Sequence, residues 1–204
     1  EVGFRLFDTA ELYGGGLTEE IVGHATEGLP RKDLFLISKV WKTHMEYDAV
    51  LDALRGSFKR LKTDYVDLYL IHRPSETVPI GETISAMERV AADGLAHHIG
   101  VSNFSVAQLE EARQHLKHTR LEMVQTEYNL LERAAETELI PYCRSHDIAV
   151  ISYRPLARGL ISSEASGPLL EGAAKHKNTP VQVALQWLIT QGTIPIPKAM
   201  SAAH

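Results

Sequence analysis

The chain has 204 residues, of which 44% are hydrophobic and 23% charged, a composition typical of a globular protein with one sizeable core. Its net charge of −5 and isoelectric point near 6.1 exclude the basic surface that binds nucleic acid or an anionic membrane, and so favour a small-molecule partner. The single cysteine excludes an internal disulfide, and no apolar run approaches the roughly 18 residues that span a bilayer. We therefore predict a cytoplasmic monomer with a single domain over residues 1–204.

Short apolar segments rich in β-branched residues alternate with longer segments of helical period along the chain. This pattern predicts strands that are each followed by a helix. The predicted strands number seven and are Arg5–Thr9, Leu34–Val40, Tyr65–His72, His97–Ser102, Glu122–Glu127, Ala149–Tyr153 and Thr193–Pro197. Regular alternation of strand and helix indicates parallel strands joined by right-handed crossovers.

Two of the predicted helices begin with a capping box. Ser105 is followed three positions later by Gln108, and Thr179 by Gln182, and in such pairs each side chain bonds a backbone N–H of the first turn. The gap before the last strand is longer than the others and predicts an additional helix around Leu169–His176.

Polar and titratable side chains stand at the C-terminal ends of the predicted strands. They are Asp8, Lys39, His72, Ser102 with Asn103, Gln125 with Glu127, Tyr153 with Arg154, and Lys198. A closed barrel gathers such ends around one mouth, whereas an open dinucleotide-binding sheet needs a turn with GxGxxG spacing, which Gly14-Gly15-Gly16 lacks. We predict the α/β class and an incomplete (β/α)8 TIM barrel with about seven of its eight strands. The expected fragment lacks the first strand and helix before Glu1 and the last helix after His204.

Three of these residues, Asp8, Lys39 and His72, suggest a reaction at a carbonyl group together with Tyr13, which follows Asp8 by five positions. The four belong to three consecutive strand ends. The pKa of a tyrosine hydroxyl, near 10, is too high for easy proton transfer at neutral pH, and a neighbouring ammonium lowers it. Lys39 can supply the ammonium and Asp8 its counter-ion, while His72 can bind the carbonyl oxygen. Three of them also have a structural explanation when taken alone: Asp8 as a turn cap, Lys39 as a solvated lysine and His72 as a partner of a backbone carbonyl. Together they suit protonation of an oxygen while hydride reaches carbon.

Seven segments, taken in order, resemble one known family and cover essentially the whole chain. They are 3–10 (GFRLFDTA) with Tyr13, 37–41 (ISKVW), 64–72 (DYVDLYLIH), 99–104 (IGVSNF), 124–129 (VQTEYN), 151–153 (ISY) with Pro155 and Leu156, and 196–198 (IPK). The chain is similar to the aldo-keto reductases, in particular to the bacterial branch that resembles 2,5-diketo-gluconate reductase and prostaglandin-F synthase.

The resemblance implies a role for each matching residue. Asp8, Tyr13, Lys39 and His72 match the family's catalytic tetrad. The residues that match its cofactor-binding positions are Ser102, Asn103, Gln125, Tyr153, Arg154, Leu156 and Lys198. The hydroxyl and amide side chains among them suit the nicotinamide carboxamide, and the flat face of Tyr153 suits the nicotinamide ring.

Lys198 matches the position that contacts the adenosine 2′-phosphate, and an ammonium in this place favours NADPH over NADH. The sequence departs from the family after it: Ala199 stands where a hydroxyl residue is common, and His204 where arginine is common. NADH therefore stays the alternative cofactor. Arg154 also departs from the family, since it replaces a commoner small polar residue. Two interpretations of it are open, a contact with the cofactor pyrophosphate and a surface salt bridge.

Trp41 is predicted to line the substrate pocket with Tyr13 and His72, the alternative being packing on the outside of the barrel. The sequence thus predicts an NADPH-dependent oxidoreductase that reduces aldehydes or ketones, including keto-sugars or keto-acids, and that needs no metal. The alternative is a nucleotide-binding regulatory or interaction module of the same fold with little turnover.

Overall fold

The computed structural model of the chain describes residues 3–163 and 167–198. The chain forms two compact units, Glu1–Met123 and Val124–His204. Within the described ranges, every helix is too short or too polar to cross a lipid bilayer. A single domain, a monomeric state and a cytoplasmic location stay predictions.

The first unit alternates strands and helices. Its strands are β1 (Leu6–Asp8), β2 (Phe35–Val40), β3 (Val66–Ile71) and β4 (Ala96–Ser102), and its helices are α1 (Leu17–Ala25), α2 (Tyr47–Leu61), α3 (Ile80–Ala92) and α4 (Val106–His115). Each strand pairs in parallel with the next. The four strands predicted for this part of the sequence are confirmed, with ends that differ by one residue or less.

The apolar spacing of α2 explains how the helices of this unit cover the sheet. Val50, Leu54 and Leu61 repeat at intervals of four and seven residues, and all three are at most 2% exposed. Such spacing puts them on one face of a helix. The predicted capping box of α4 is confirmed, because the side chains of Ser105 and Gln108 each bond the backbone of the other residue.

Strand β2 connects the helix layer with the candidate site. Successive side chains of a strand point to opposite faces of the sheet, so Ser38 and Lys39 face different environments. Ser38 Oγ donates to Glu19 Oε1 of α1 at 2.5 Å, and Arg60 Nε of α2 donates to Glu19 Oε2 at 2.6 Å. Ser38 and the fully buried Glu19 therefore tie β2 to both helices, while Lys39 points away from them.

The second unit contains the remaining predicted strands. It comprises β5 (Met123–Glu127, apart from its first residue), α5 (Leu139–Ser145), β6 (Ala149–Tyr153), α6 (Leu160–Ser163), α7 (Pro168–Lys175), α8 (Pro180–Thr190) and β7 (Thr193–Pro195). Strands β6 and β7 are parallel. The capping box at Thr179 is confirmed, and α7 confirms the additional helix predicted before the last strand.

Candidate active site

Lys39 and Asp8, at the ends of β2 and β1, form a buried ion pair. Lys39 Nζ lies 2.7 Å from Asp8 Oδ2 and donates to the carbonyl oxygen of Thr9 at 2.7 Å. The Lys39 side chain is fully buried and that of Asp8 is 12% exposed. Burial lowers the pKa of Lys39 below its usual value, and the Asp8 carboxylate opposes this effect. The pair holds the amino group at a fixed position beside the end of β1.

Tyr13 is the aromatic neighbour of this amino group. It is the first residue of a short 3-10 helix, Tyr13–Gly16, whose three glycines have φ values of 61°, 65° and 98°. Residues with a side chain rarely adopt these angles, so the glycine run permits a sharp turn directly after Tyr13. The Tyr13 ring centroid lies 5.0 Å from Lys39 Nζ and 5.4 Å from the centroid of the His72 ring, which it meets edge to face at 86°.

His72 follows β3 and is held by its backbone, whose N–H donates to the carbonyl oxygen of Val40 at 3.0 Å. Burial, followed by the positive charges of Lys39 and Arg73, lowers the pKa of His72 to about 4. Its Nδ1 atom is buried and accepts or donates no hydrogen bond within the described part of the chain. The imidazole is therefore neutral at pH 7, with one donor and one acceptor nitrogen.

Trp41 is the second aromatic neighbour of His72. The two ring centroids are 5.0 Å apart and the ring planes meet at 78°. The Trp41 backbone N–H donates to Glu11 Oε1 at 2.5 Å. The structure thus brings Trp41 to the same histidine as Tyr13. Sequence reasoning missed Glu11, whose one signal is its place in the loop between Asp8 and Tyr13.

Ser102 and Asn103 bring two polar side chains to the end of β4. Ser102 is 1% exposed. Asn103 Nδ2 donates to the carbonyl oxygen of His72 at 3.0 Å and to Ser102 Oγ at 2.9 Å. Asn103 has a φ of 61°, a left-handed conformation that asparagine adopts more readily than most residues. Both side chains therefore belong to the same part of the first unit as His72.

In the second unit, Gln125 lies in β5 and is 2% exposed, and Tyr153 is the half-buried last residue of β6. Arg154 Nη1 lies 2.7 Å from Glu127 Oε2. The structure therefore shows the salt bridge that was one of the two interpretations of Arg154. The roles of these residues toward a cofactor stay predictions.

Leu156 and Lys198 complete the predicted set. Leu156 packs, half-buried, against the apolar cluster formed by Ala157, Ile161 and Ala184. Lys198 is exposed and follows β7 by three residues. Ala199 and His204, where the sequence departs from the family pattern, lie outside the described residues.

The whole sequence matches one known protein family. The model of the aldo/keto reductase family matches residues 1–204. The chain belongs to this family. Methylglyoxal reductase YeaE of Escherichia coli is 37% identical over 100% of this chain and 72% of its own length. Glyoxal reductase of Bacillus subtilis is 36% identical over 97% of this chain and 69% of its own length. The predicted family and the predicted class, an oxidoreductase, are confirmed.

Solved structures agree with the family assignment. The thermostable aldo-keto reductase Tm1743 has a TM-score of 0.92 and 43% identity, over 97% of this chain and 72% of its own. An aldo-keto reductase from Klebsiella pneumoniae in complex with NADPH has a TM-score of 0.90 and 34% identity, over 98% and 72%. A putative 2,5-diketo-D-gluconic acid reductase B, with a TM-score of 0.88 and 36% identity over 99% and 70%, represents the predicted branch. These likenesses confirm the predicted fold class, an incomplete (β/α)8 barrel.

Proposed function

We propose that this chain reduces small carbonyl compounds to alcohols with NADPH, and that 2-oxoaldehydes such as methylglyoxal are its substrate class. The observation that carries the proposal is the buried Lys39 amino group 2.7 Å from Asp8 and 5.0 Å from the Tyr13 ring. The names of its relatives, a methylglyoxal reductase and a glyoxal reductase, support the substrate class. The family and the NADPH-bound Klebsiella pneumoniae structure support the cofactor.

The side chains at the end of β4 fit a nicotinamide cofactor. The buried Ser102 hydroxyl and the Asn103 amide are adjacent to His72, and together they provide the donors and acceptors that a carboxamide requires. When bound, NADPH supplies the hydride that reduces the carbonyl carbon. Gln125, Tyr153, Arg154 and Leu156 in the second unit are proposed as further cofactor residues by the same family resemblance, as is Lys198.

Tyr13 is the proposed proton donor. Its hydroxyl proton passes to the carbonyl oxygen, so that the product is an alcohol and the side chain is left as a phenolate, which solvent then reprotonates. A positive charge at the distance of Lys39 stabilises that phenolate and so eases the release of the proton. Asp8 keeps the Lys39 amino group protonated and fixed in place despite its burial. A residue that transfers a proton in this way accelerates a reaction by about 100- to 10,000-fold.

His72 is proposed to bind the carbonyl oxygen as a neutral imidazole. Its pKa of about 4 leaves one N–H donor at neutral pH. The buried Nδ1 atom has no hydrogen-bond partner in the described part of the chain, and orphaned buried N–H groups are rare in proteins. The hydrogen is therefore assigned to Nε2, which donates to the substrate oxygen next to Tyr13. An imidazolium in this place would instead compete with Tyr13 as the acid.

The test is the loss of NADPH absorbance with methylglyoxal, glyoxal, a simple aldehyde, a keto-acid and a keto-sugar. We expect turnover with the 2-oxoaldehydes to exceed that with the other carbonyls. Tyr13→Phe should lower kcat by about 100-fold or more and leave NADPH binding unchanged. The matched control is Tyr47→Phe, at the start of α2, which should keep full activity. Near-normal turnover by Tyr13→Phe would show that the proton comes from elsewhere.

A different outcome would support the regulatory alternative. A protein that binds NADPH but oxidises it with none of these carbonyls would be a nucleotide-binding module. The buried Lys39–Asp8 pair argues against that alternative, since a charged pair in this position costs desolvation that nucleotide binding alone does not require.

A further inference from the structure

Glu11 connects the two loops that carry Tyr13 and Trp41. Its backbone N–H donates to the carbonyl oxygen of Lys39 at 3.3 Å. One oxygen of its carboxylate, Oε1, accepts from the Trp41 N–H at 2.5 Å and lies 3.0 Å from His44 Nδ1. The Glu11 side chain is 9% exposed. A carboxylate that is this well buried persists only when hydrogen bonds replace the water it has lost.

The two partners of the carboxylate are the two ends of one tight turn. The His44 N–H donates to the carbonyl oxygen of Trp41 at 2.9 Å, which closes a four-residue turn. Glu11 Oε1 therefore bonds the first and last residues of that turn and prevents it from opening. Charge-assisted hydrogen bonds of this kind are stronger than neutral ones.

This turn begins at Trp41, whose ring lies beside His72. Trp41 directly follows β2. The centroid of its ring lies 5.0 Å from that of the His72 ring. The side-chain bonds of Glu11 described above end on Trp41 and His44, and neither of these residues transfers the proton in the proposed reaction. In the proposed reaction, the route from Glu11 to the substrate therefore leads through the position of the Trp41 ring.

We infer that Glu11 is a positioning residue for the carbonyl substrate: its carboxylate clamps the Trp41–His44 turn and so fixes the aromatic wall beside His72. This inference rests on the proposed function. The clamp sets the affinity for the carbonyl compound and the selectivity between small and bulky carbonyls, while the proton transfer from Tyr13 is unaffected. Pockets for small molecules are lined mainly by apolar and aromatic side chains, so the position of such a side chain affects which carbonyl compounds fit.

Steady-state kinetics separate this role from a catalytic one. Glu11→Ala should raise the KM for methylglyoxal by about tenfold, with kcat and the dissociation constant of NADPH unchanged. Glu11→Gln, which keeps an oxygen acceptor for the Trp41 N–H, should restore most of the affinity. Glu20→Ala, at an exposed glutamate of α1, is the matched control and should not change KM. A fall in kcat at constant KM in Glu11→Ala would overturn the inference.

Tryptophan fluorescence tests the clamp without any turnover. The chain has 2 tryptophans, so Trp187→Phe leaves Trp41 as the single emitter. In that background, Glu11→Ala should shift the Trp41 emission to longer wavelength and increase its quenching by acrylamide, whereas Glu20→Ala should change neither. If Glu11→Ala does not fold, His44→Ala is the second test. It removes only the contact between His44 Nδ1 and Glu11 Oε1, at a side chain that is 51% exposed. We expect a smaller shift of the emission in the same direction.

The outcomes of the two experiments are distinguishable. An unchanged emission in Glu11→Ala or, if that variant does not fold, in His44→Ala would refute the clamp. A lack of NADPH oxidation by the wild type would refute only the proposed function.

Discussion

The Nζ atom of Lys39 lies 5.0 Å from the centre of the Tyr13 ring. At this distance a cation is attracted by the electrons of an aromatic ring and favours the ionised form of its hydroxyl. Both effects are strengthened where water is scarce, and the Lys39 side chain is fully buried. Under the proposed function, the same ammonium holds the ring in place and stabilises the charge that the ring acquires when it gives up a proton.

Replacing Lys39 should affect activity and stability together. Lys39→Met keeps the length of the side chain but removes the cation, so we expect kcat to fall by about 100-fold or more. It also leaves the Asp8 carboxylate without its counter-ion, which should lower the free energy of unfolding by about 3 kcal/mol. Urea unfolding and NADPH oxidation measure the two effects. The control is Lys59→Met at an exposed position of α2, where the turnover and the free energy of unfolding should both stay close to wild type. A turnover of Lys39→Met within tenfold of wild type would contradict the proposed role.

The stability of the protein should depend on pH through His72. Its pKa is about 4 in the folded chain and 6.5 in the unfolded chain, so between these values the unfolded chain binds a proton that the folded chain does not. The free energy of unfolding is then highest above pH 6.5 and falls as the pH decreases towards 4. Because His72 is only partly buried, solvent screening reduces the expected loss to about 1–2 kcal/mol.

A comparison of variants isolates this contribution. Urea unfolding at pH 7 and at pH 4.5 should show a smaller difference in His72→Gln than in the wild type, because glutamine does not titrate in this range. His176→Gln, at an exposed histidine after α7, should retain the wild-type difference. Equal pH dependence in wild type and His72→Gln would mean that His72 is not held neutral.

Strand periodicity predicts the positions of several residues of the site. Lys39 and His72 lie at strand ends because apolar runs of known length end there, and parallel pairing brings neighbouring ends together. The first strand is shorter than predicted, since β1 spans Leu6–Asp8. The hydrogen bonds between β1 and β2 nevertheless continue one residue beyond each end of β1. The Phe35 N–H donates to the carbonyl oxygen of Arg5 at 2.7 Å, and the Thr9 N–H donates to the carbonyl oxygen of Ile37 at 2.9 Å.

The side chains that support the site could not be predicted in the same way. Glu11 bonds Trp41, 30 positions away, and Glu19 bonds Arg60, 41 positions away. These contacts depend on the angle between loops and helices and on side-chain rotamers, and neither leaves a periodic signal in one sequence. Glu19 resembles any acidic residue in the first turn of a helix until the fold brings Ser38 and Arg60 to it.

Lys198 should control the choice of cofactor. If its ammonium contacts the 2′-phosphate, Lys198→Ala removes a charge-assisted bond and should weaken NADPH binding by about tenfold while NADH binding stays the same. Titration of the protein with each cofactor, followed by fluorescence, measures the ratio of the two dissociation constants. Lys175→Ala, at the exposed end of α7, serves as the control for general loss of charge. An equal change in both dissociation constants would show that Lys198 does not contact the 2′-phosphate.

Gly100 should be one of the least replaceable residues of β4, the strand that leads to Ser102. A Cβ atom at position 100 would collide with the carbonyl oxygen of Met123 and lie 2.8 Å from Leu70 Cδ2. Since a backbone oxygen cannot move aside as a flexible side chain can, Gly100→Ala should lower the free energy of unfolding by about 3 kcal/mol.

Gly172 provides the matched comparison for this substitution. In α7, a Cβ atom at Gly172 would meet no atom within 4 Å, so Gly172→Ala should raise the free energy of unfolding by about 0.5–1 kcal/mol, because alanine favours a helix more than glycine does. Urea unfolding of both variants measures the two changes in the free energy of unfolding, which should have opposite signs. A small loss for Gly100→Ala would show that β4 and Met123 can separate at little cost.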